Sequence, residues 1–163
     1  MTIRYPSRHK PYPTLKVFRI REGAKLPVRA HSSDAGMDLF YCPGDNALSE
    51  VDFMPGQNWV LPTGLKISVP EGFMLQIMNK SGIASKRTLV TGACVVDSGY
   101  DGEIFIDLHN IGNNNQRVVS GQKIAQAVLI PITIPSLEEI EEDNIYGKPT
   151  ARGVGGFGST GDT

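Results

Sequence analysis

Proline and glycine interrupt this chain so often that no long regular element fits between them. The 163 residues include 11 prolines and 18 glycines, and both residue types disfavour helix interiors. The intervening pieces are rich in Val, Ile, Leu and Phe and predict strands at residues 14–20, 36–41, 65–69, 73–78, 103–108 and 123–130. Short strands at this spacing predict an all-β domain, either a sandwich, a jelly roll or a small barrel.

Three segments depart from this strand pattern. Residues 81–86 predict one or two helical turns directly after a strand, and the acidic residues 136–143 predict a solvated turn or a short helix. From Asn144 onward, Gly, Thr, Pro and Ser dominate, which is typical of a mobile arm. We therefore expect one β domain over residues 1–143, with a basic segment and first strand in residues 1–26, and a mobile C-terminal arm over residues 144–163.

Charge is spread unevenly along a chain of formal net charge −1. Eight of the sixteen Lys and Arg residues lie between Arg4 and Arg29, where Glu22 is the only acid. A nucleic-acid or membrane patch is one interpretation. The other is the solvated face of a strand, which we favour because charged and apolar residues alternate in TLKVFRIRE.

The two cysteines and the apolar runs bear on the compartment. Cys42 and Cys94 lack the spacing of a metal site, and we interpret them as free thiols rather than a disulfide. No apolar run approaches the roughly 20 residues that span a bilayer. We expect a cytoplasmic protein with no membrane partner and no nucleic-acid partner.

The last residues of the chain read RGVGGFGSTG, from Arg152 to Gly161. Glycines let successive N–H groups converge on an anion, and the hydroxyls of Ser159 and Thr160 add donors. The Arg152 guanidinium can bind phosphate oxygens in pairs, and Phe157 can cover a flat group. The alternative interpretation is an unstructured terminus.

Three further stretches carry candidate chemistry. Asn79–Gly82 begins a helical turn whose N–H groups favour an anion, although a simple N-cap has the same sequence. Asp97, at the mouth of a hairpin, can deprotonate a water beside the flat ring of Tyr100, unless it merely caps the loop. Asp38 falls inside a strand, where a carboxylate is paired or functional if buried. The three histidines lack ligand spacing and predict no metal site.

The order of these stretches is more specific than any one of them. The chain resembles the trimeric dUTPase family from Pro27 to Gly161. Five segments match that family's motifs in sequence order: DAGMDL at residues 34–39, KSGIA at 80–84, VVDSGYDG at 95–102, KIAQ at 123–126 and RGVGGFGSTG at 152–161.

The resemblance implies a jelly-roll-like subunit of a homotrimer with three active sites at subunit interfaces. Members of the family hydrolyse dUTP to dUMP and pyrophosphate, which keeps uracil out of DNA and supplies dUMP for thymidylate synthesis. The implied cofactor is Mg²⁺, held mainly by the triphosphate and waters rather than by direct protein ligands.

The resemblance also assigns roles to residues of this chain. Asp97 matches the aspartate that activates the attacking water, and Tyr100 matches the tyrosine that stacks on the deoxyribose. The hairpin at residues 90–96, including Cys94 and Val96, presents main-chain groups to uracil. Phosphate binding falls to Lys80, Ser81, Gly82 and Gln126, and Asp38 has a supporting role. In the arm, Phe157 covers the base, and the terminal phosphates are held by Arg152, Gly158, Ser159 and Thr160.

Five positions depart from the family pattern. Lys80 and Lys123 stand where the family usually has arginine, and Cys94 replaces a glycine. Gly99 replaces a second aspartate, and Asp101 occupies a position that is often Arg or Gln. Two other functions stay open at this point: a dCTP deaminase-like enzyme of the same superfamily, and a dUTP-gated binding or signalling protein.

Overall fold

The computed structural model describes residues 13–45, 47–148 and Gly153. By its contacts the chain divides into two compact units, Met1–Thr133 and Ile134–Thr163. This division comes earlier in the chain than the one we expected after residue 143, and the mobility of the C-terminal arm stays a prediction.

Strands dominate the described residues, with one α-helix among them. The helix α1 spans Ser81–Arg87, as predicted, and a short 3-10 turn spans Glu142–Asn144. The strands are β1 Lys16–Arg19, β2 Met37–Phe40, β3 Glu50–Phe53, β4 Asn58–Pro62, β5 Leu65–Ser68, β6 Phe73–Met78, β7 Leu89–Thr91, β8 Val95–Val96, β9 Phe105–Asn110, β10 Gln116–Val119 and β11 Lys123–Pro131.

All the pairings between these strands are antiparallel. One sheet has four strands in the order β2-β11-β6-β8, and another has three in the order β4-β9-β7. Two further pairs are β1-β5 and β10-β3. The all-β prediction is confirmed, and the six predicted strands are present with ends within two residues of their expected positions.

The buried faces of these sheets meet in one hydrophobic cluster. Each large side chain that is fully buried there contributes about 1.5–3 kcal/mol relative to an exposed one. The largest members are Phe53, Leu39, Leu61, Leu65, Leu75, Ile77, Leu89, Ile104, Ile106, Leu108, Ile124 and Val118.

The central strand of the larger sheet brings distant segments side by side. In β11, Gln126 lies opposite Asp38 of β2 and opposite Met78, the last residue of β6. Paired residues on adjacent strands share a face of the sheet. The segments at residues 34–39, 80–84 and 123–126 therefore meet at one end of this sheet.

The prediction of a paired hairpin at residues 90–96 is wrong, because its two strands belong to different sheets; we keep the name 90–96 hairpin for this segment. Its first strand, β7, pairs with β9 in the three-stranded sheet, and its second strand, β8, pairs with β6 in the four-stranded sheet. The turn between them crosses from one sheet to the other.

A half-buried ion pair ties the segment after β1 to the start of β9. The guanidinium of Arg21 donates two hydrogen bonds of 2.6 Å to the carboxylate of Glu103. The same carboxylate accepts the backbone N–H of Gly64 at 2.7 Å. The hydrogen bond with Glu103 is the largest cause that raises the pKa of Arg21, against the opposing effect of its partial burial.

We predict that Glu103→Ala lowers the free energy of unfolding by about 2 kcal/mol, because Arg21 loses its counter-charge and the Gly64 N–H loses its acceptor. Urea unfolding followed by circular dichroism measures the change. The matched control is Asp52→Ala, which removes an exposed partner of Arg117 and should affect the transition far less. Equal effects of the two substitutions would contradict the anchoring role.

Candidate active site

Asp38 is a buried carboxylate held between two ammonium groups. Only 5% of the residue is exposed. The Nζ of Lys80 donates a hydrogen bond of 2.8 Å to Oδ1, and the Nζ of Lys123 lies 2.7 Å from Oδ2. The Lys123 contact is a close ion pair without hydrogen-bond geometry, so Oδ2 accepts no hydrogen bond from the described residues. Two cations against one anion leave a net positive charge of one.

The surroundings of Asp38 keep it ionised at neutral pH. Burial alone raises the pKa of the carboxyl group, but the contacts and charges of Lys123 and Lys80 outweigh it and hold the pKa below the ordinary value. The expectation that a carboxylate inside this strand would be paired if buried is confirmed.

Gln126 lies against the segment that carries Asp38. Its Nε2 donates to the backbone oxygen of Asn79 at 2.9 Å. A Cβ at Gly36 would lie 2.0 Å from Oε1 of Gln126, so a glycine is what leaves room for this side chain. These contacts confirm that the chain folds three of the five matched segments into one cluster.

The helix α1 begins at Ser81, directly after Lys80. Ser81 and Gly82 lie exposed in its first turn, where backbone N–H groups have no acceptor within the helix. The first turn therefore offers donors next to the positive charge of Lys80.

Asp97 and Tyr100 occupy a turn that follows β8. Asp97 is exposed, and its backbone oxygen accepts the N–H of Tyr100 at 3.1 Å. The Tyr100 hydroxyl donates to the backbone oxygen of Glu103 at 2.8 Å. The ring passes so close to Gly102 that a Cβ there would lie 2.3 Å from the hydroxyl oxygen. Tyr100 stays 45% exposed.

Two pockets flank this turn. One of about 180 Å³ is lined by Asp97, Tyr100 and Phe105 together with residues of the 90–96 hairpin. The other, of about 410 Å³, is lined by residues 98–101 and by strands β1 and β5, including Lys16 and Lys66. Asp101, one of the departures from the family pattern, faces this second pocket.

Hydrogen bonds hold the 90–96 hairpin on both sides of its turn. The backbone oxygen of Cys94 accepts the Ile77 N–H at 2.7 Å, and the Gly92 N–H donates to the backbone oxygen of Asp107 at 2.8 Å. The Cys94 thiol donates to the backbone oxygen of Gly92 at 2.8 Å. Val96 lies half-buried in β8. Both Cys42 and Cys94 are free, as expected.

Asp97 and the Lys80 turn lie at opposite ends of β6. The antiparallel register sets Val96 opposite Leu75, and continuing it by one residue sets Asp97 near Met74. Lys80 is six residues further along the chain, or about 20 Å at the rise of a strand. Among the described residues, one chain does not bring Asp97 and Tyr100 together with Asp38, Lys80 and Gln126.

Three further expectations concern the C-terminal arm, a metal site and a membrane span. Arg152, Phe157, Gly158, Ser159 and Thr160 lie outside the described residues. Within the described ranges, no group of three or more His, Cys, Asp and Glu side chains is placed to hold a metal ion. None of the helices in the described part of the chain has the length and apolar character that crossing a membrane requires.

The sequence did not predict the contact between Asn79 and Thr91. The side-chain oxygen of Asn79 accepts both the N–H of Thr91 at 2.7 Å and its hydroxyl at 3.0 Å. The only available signal was an amide residue directly after a predicted strand. That signal does not identify Thr91 as the partner.

Known proteins resemble this chain over most of its length. The family model described as dUTPase matches residues 22–161. A deoxyuridine 5'-triphosphate nucleotidohydrolase of Clostridium tetani is 41% identical over 150 residues, covering 91% of this chain and 97% of the relative. One of Gloeothece citriformis is 39% identical over 151 residues, with the same coverages.

Solved structures show the same likeness. The dUTPase of Staphylococcus bacteriophage 80alpha with dUPNHPP superposes with a TM-score of 0.80 at 29% identity, covering 92% of this chain and 99% of that one. A variant dUTPase from phage phi11 of S. aureus, described with a structural Mg(II) ion, has a TM-score of 0.71 at 28% identity, covering 80% and 98%.

We predict that Asp38→Asn lowers the free energy of unfolding by about 2 kcal/mol at pH 7, because Lys80 and Lys123 lose their shared counter-charge. Since the folded pKa of Asp38 is depressed, its contribution is present above the ordinary value of 3.8 and is lost as the pH falls through the folded pKa. The difference between variant and wild type should therefore shrink in acid.

Urea unfolding at pH 7 and pH 3 measures this difference. Asp45 is exposed, so Asp45→Asn is the matched control. Its free energy of unfolding should stay close to that of the wild type at both pH values. A difference for Asp38→Asn that is the same at pH 7 and pH 3 would contradict the ion-pair explanation.

Proposed function

This chain belongs to the dUTPase family and hydrolyses dUTP to dUMP and pyrophosphate, and from that premise we propose that Asp97 is the general base and that each active site combines more than one chain. The observation that carries the proposal is the separation along β6. Continuing the register by one residue sets Asp97 near Met74, and the six residues from there to Lys80 correspond to about 20 Å of extended backbone. We therefore propose that a second chain supplies one of the two halves.

The phosphate half consists of Lys80, Ser81, Gly82 and Gln126. In-line attack at phosphorus requires positioning and charge neutralisation more than an unusual nucleophile. The ion pairs of Asp38 fix the ammonium groups of Lys80 and Lys123 and leave one positive charge in excess. That charge and the N–H groups of the first helical turn would hold the phosphate oxygens.

Magnesium fits this half through its preference for oxygen ligands. The single buried carboxylate of the cluster, Asp38, is already neutralised by two lysines. Phosphate oxygens and waters are therefore the ligands that we propose for Mg²⁺. When bound, the ion would add positive charge at the triphosphate.

The hydrolytic half consists of Asp97 and Tyr100. The exposed Asp97 carboxylate would accept a proton from the water whose oxygen attacks the α-phosphorus. As that bond forms, the bond from the α-phosphorus to its bridging oxygen breaks and pyrophosphate leaves. The exposed face of Tyr100 would stack on the deoxyribose and exclude a 2′-hydroxyl.

In our proposal, the base lies against the 90–96 hairpin. Main-chain groups of Cys94 and Val96 would face it there. The pocket of about 180 Å³ beside Asp97 and Tyr100 opens next to this hairpin. The arm of a further chain would complete the site, with Phe157 over the base. Its Arg152, Gly158, Ser159 and Thr160 would bind the terminal phosphates.

A homotrimer would also cover apolar surface that one chain leaves exposed. Trp59, Val60, Val95 and Phe105 are each more than two-fifths exposed, and in our proposal neighbouring chains cover them. Free thiols at Cys42 and Cys94 are typical of a reducing compartment, and we propose that the enzyme acts on free nucleotide in the cytoplasm. The relatives' names do not favour a deaminase or a signalling protein.

We predict that Asp97→Asn lowers kcat for dUTP by about a thousandfold while dUTP still binds, because only proton transfer is lost. Chromatography of products from dUTP, dCTP, dTTP and UTP in Mg²⁺ measures the reaction and its selectivity. Asp101→Asn in the same loop is the matched control and should keep its rate within several-fold. Normal turnover by Asp97→Asn contradicts the general-base role, and release of ammonia from dCTP contradicts the reaction.

The shared site predicts complementation between two inactive chains. Asp97→Asn and Ser81→Ala proteins, each nearly inactive, are unfolded together in equal amounts and refolded. Random mixed trimers should recover about a quarter of the wild-type activity, since each site then draws its two halves from different chains. Each variant refolded alone is the control. A mixture that stays inactive would show that both halves belong to one chain.

A further inference from the structure

Asn79 lies between the base-facing hairpin and the phosphate-binding turn. We propose that it is a positioning residue for base selection, whose side chain fixes the 90–96 hairpin relative to the turn that begins at Lys80. The inference rests on the proposed function, because that function assigns the base to the hairpin and the phosphates to the turn.

The backbone ladder between β6 and the hairpin ends just before Asn79. Leu75 lies opposite Val96, and the Ile77 N–H donates to the backbone oxygen of Cys94. Beyond Met78 the strand ends. There the side-chain oxygen of Asn79 accepts the N–H of Thr91 at 2.7 Å, as a backbone carbonyl would in a longer strand. The side chain thus extends the ladder to the far end of the hairpin.

Thr91 directs both of its donors to this one oxygen, since its hydroxyl also lies 3.0 Å from Oδ1 of Asn79. The same hydroxyl is 3.9 Å from the thiol of Cys94, and that thiol bonds the backbone of Gly92. Thr91 therefore connects the side chain of Asn79 to the turn at residues 92–94. On the opposite side, the turn is held by Asp107 of β9.

The backbone of Asn79 is fixed to the phosphate half. Its carbonyl oxygen accepts Nε2 of Gln126 at 2.9 Å, and the next residue, Lys80, bonds the buried Asp38. The side chain and the backbone of one residue thus join the two regions that our proposal assigns to base and phosphate binding. An acceptor oxygen on a short side chain is the feature that this position requires.

Base selection depends on where the hairpin's main-chain groups lie. Uracil presents an N–H at position 3 beside a carbonyl at position 4, whereas cytosine presents a bare nitrogen beside an amino group. The two edges have opposite donor and acceptor patterns. A site whose groups are held in register rejects the wrong edge, because its own polar groups then stay unpaired. A hairpin released from Asn79 would discriminate less well.

The test compares Asn79→Leu, which keeps the size but has no acceptor, with Asn79→Asp, which keeps the acceptor. We measure kcat/KM for dUTP and for dCTP by product chromatography. The quantity compared is kcat/KM for dUTP divided by kcat/KM for dCTP. Because both substrates carry the same triphosphate, a change in phosphate binding cancels in this ratio. We expect Asn79→Leu to lower the ratio about tenfold, mainly through KM for dUTP. Asn79→Asp should restore the ratio to within twofold of the wild type.

Two controls separate positioning from stability. Asn113→Leu alters an exposed asparagine in the loop before β10 and should leave the ratio unchanged. Thr91→Val removes the hydroxyl alone, and its effect should not add to that of Asn79→Leu, since both act on one contact. Thermal unfolding of every variant gives the change in stability.

The outcomes are distinguishable. A wild-type ratio in Asn79→Leu overturns the inference, whether or not the variant unfolds at a lower temperature. A lowered ratio that Asn79→Asp fails to restore also overturns it, because the acceptor is then not the cause. If the wild-type protein itself fails to hydrolyse dUTP, the proposed function is wrong and this inference fails with it.

Discussion

The ion pairs of Asp38 with Lys80 and Lys123 hold together three segments that are far apart in the sequence. Both lysines stand where the family that this chain resembles usually has arginine. The structure shows that the two departures concern one carboxylate, with one ammonium at each oxygen. The positive charge is therefore kept, while the paired geometry of a guanidinium is lost.

The antiparallel register determines which residues one chain can combine. β11 lies between β2 and β6, so Asp38, Gln126 and the start of α1 meet at one end of the sheet. β8 runs the opposite way along β6, so Asp97 emerges at the other end. The same sheet thus separates the residues of the proposed phosphate half from those of the proposed hydrolytic half. Assembly is, in our proposal, a chemical requirement as well as a source of stability.

The sequence predicted what local patterns determine. The apolar run at residues 73–78 has the bounds of β6, and residues 81–86 fall within α1. The strands β3 (EVDF), β4 (NWVLP) and β10 (QRVV) were missed, because each is short and mixes its apolar residues with polar residues or proline. The contacts of Asp38 with Lys123, Asn79 with Thr91 and Arg21 with Glu103 depend on register between distant segments, which no local pattern specifies. The roles of Asp97, Tyr100 and the arm stay predictions.

The hairpin at residues 90–96 joins the three-stranded sheet through β7 and the four-stranded sheet through β8. An inserted or deleted residue within β7 or β8 would shift the pairing with β9 or with β6, and a slip of one position turns side chains to the opposite face. Changing the length of this segment is therefore a poor way to change which base the site accepts. An engineer who wants another base accepted has to work with side chains of unchanged loop length.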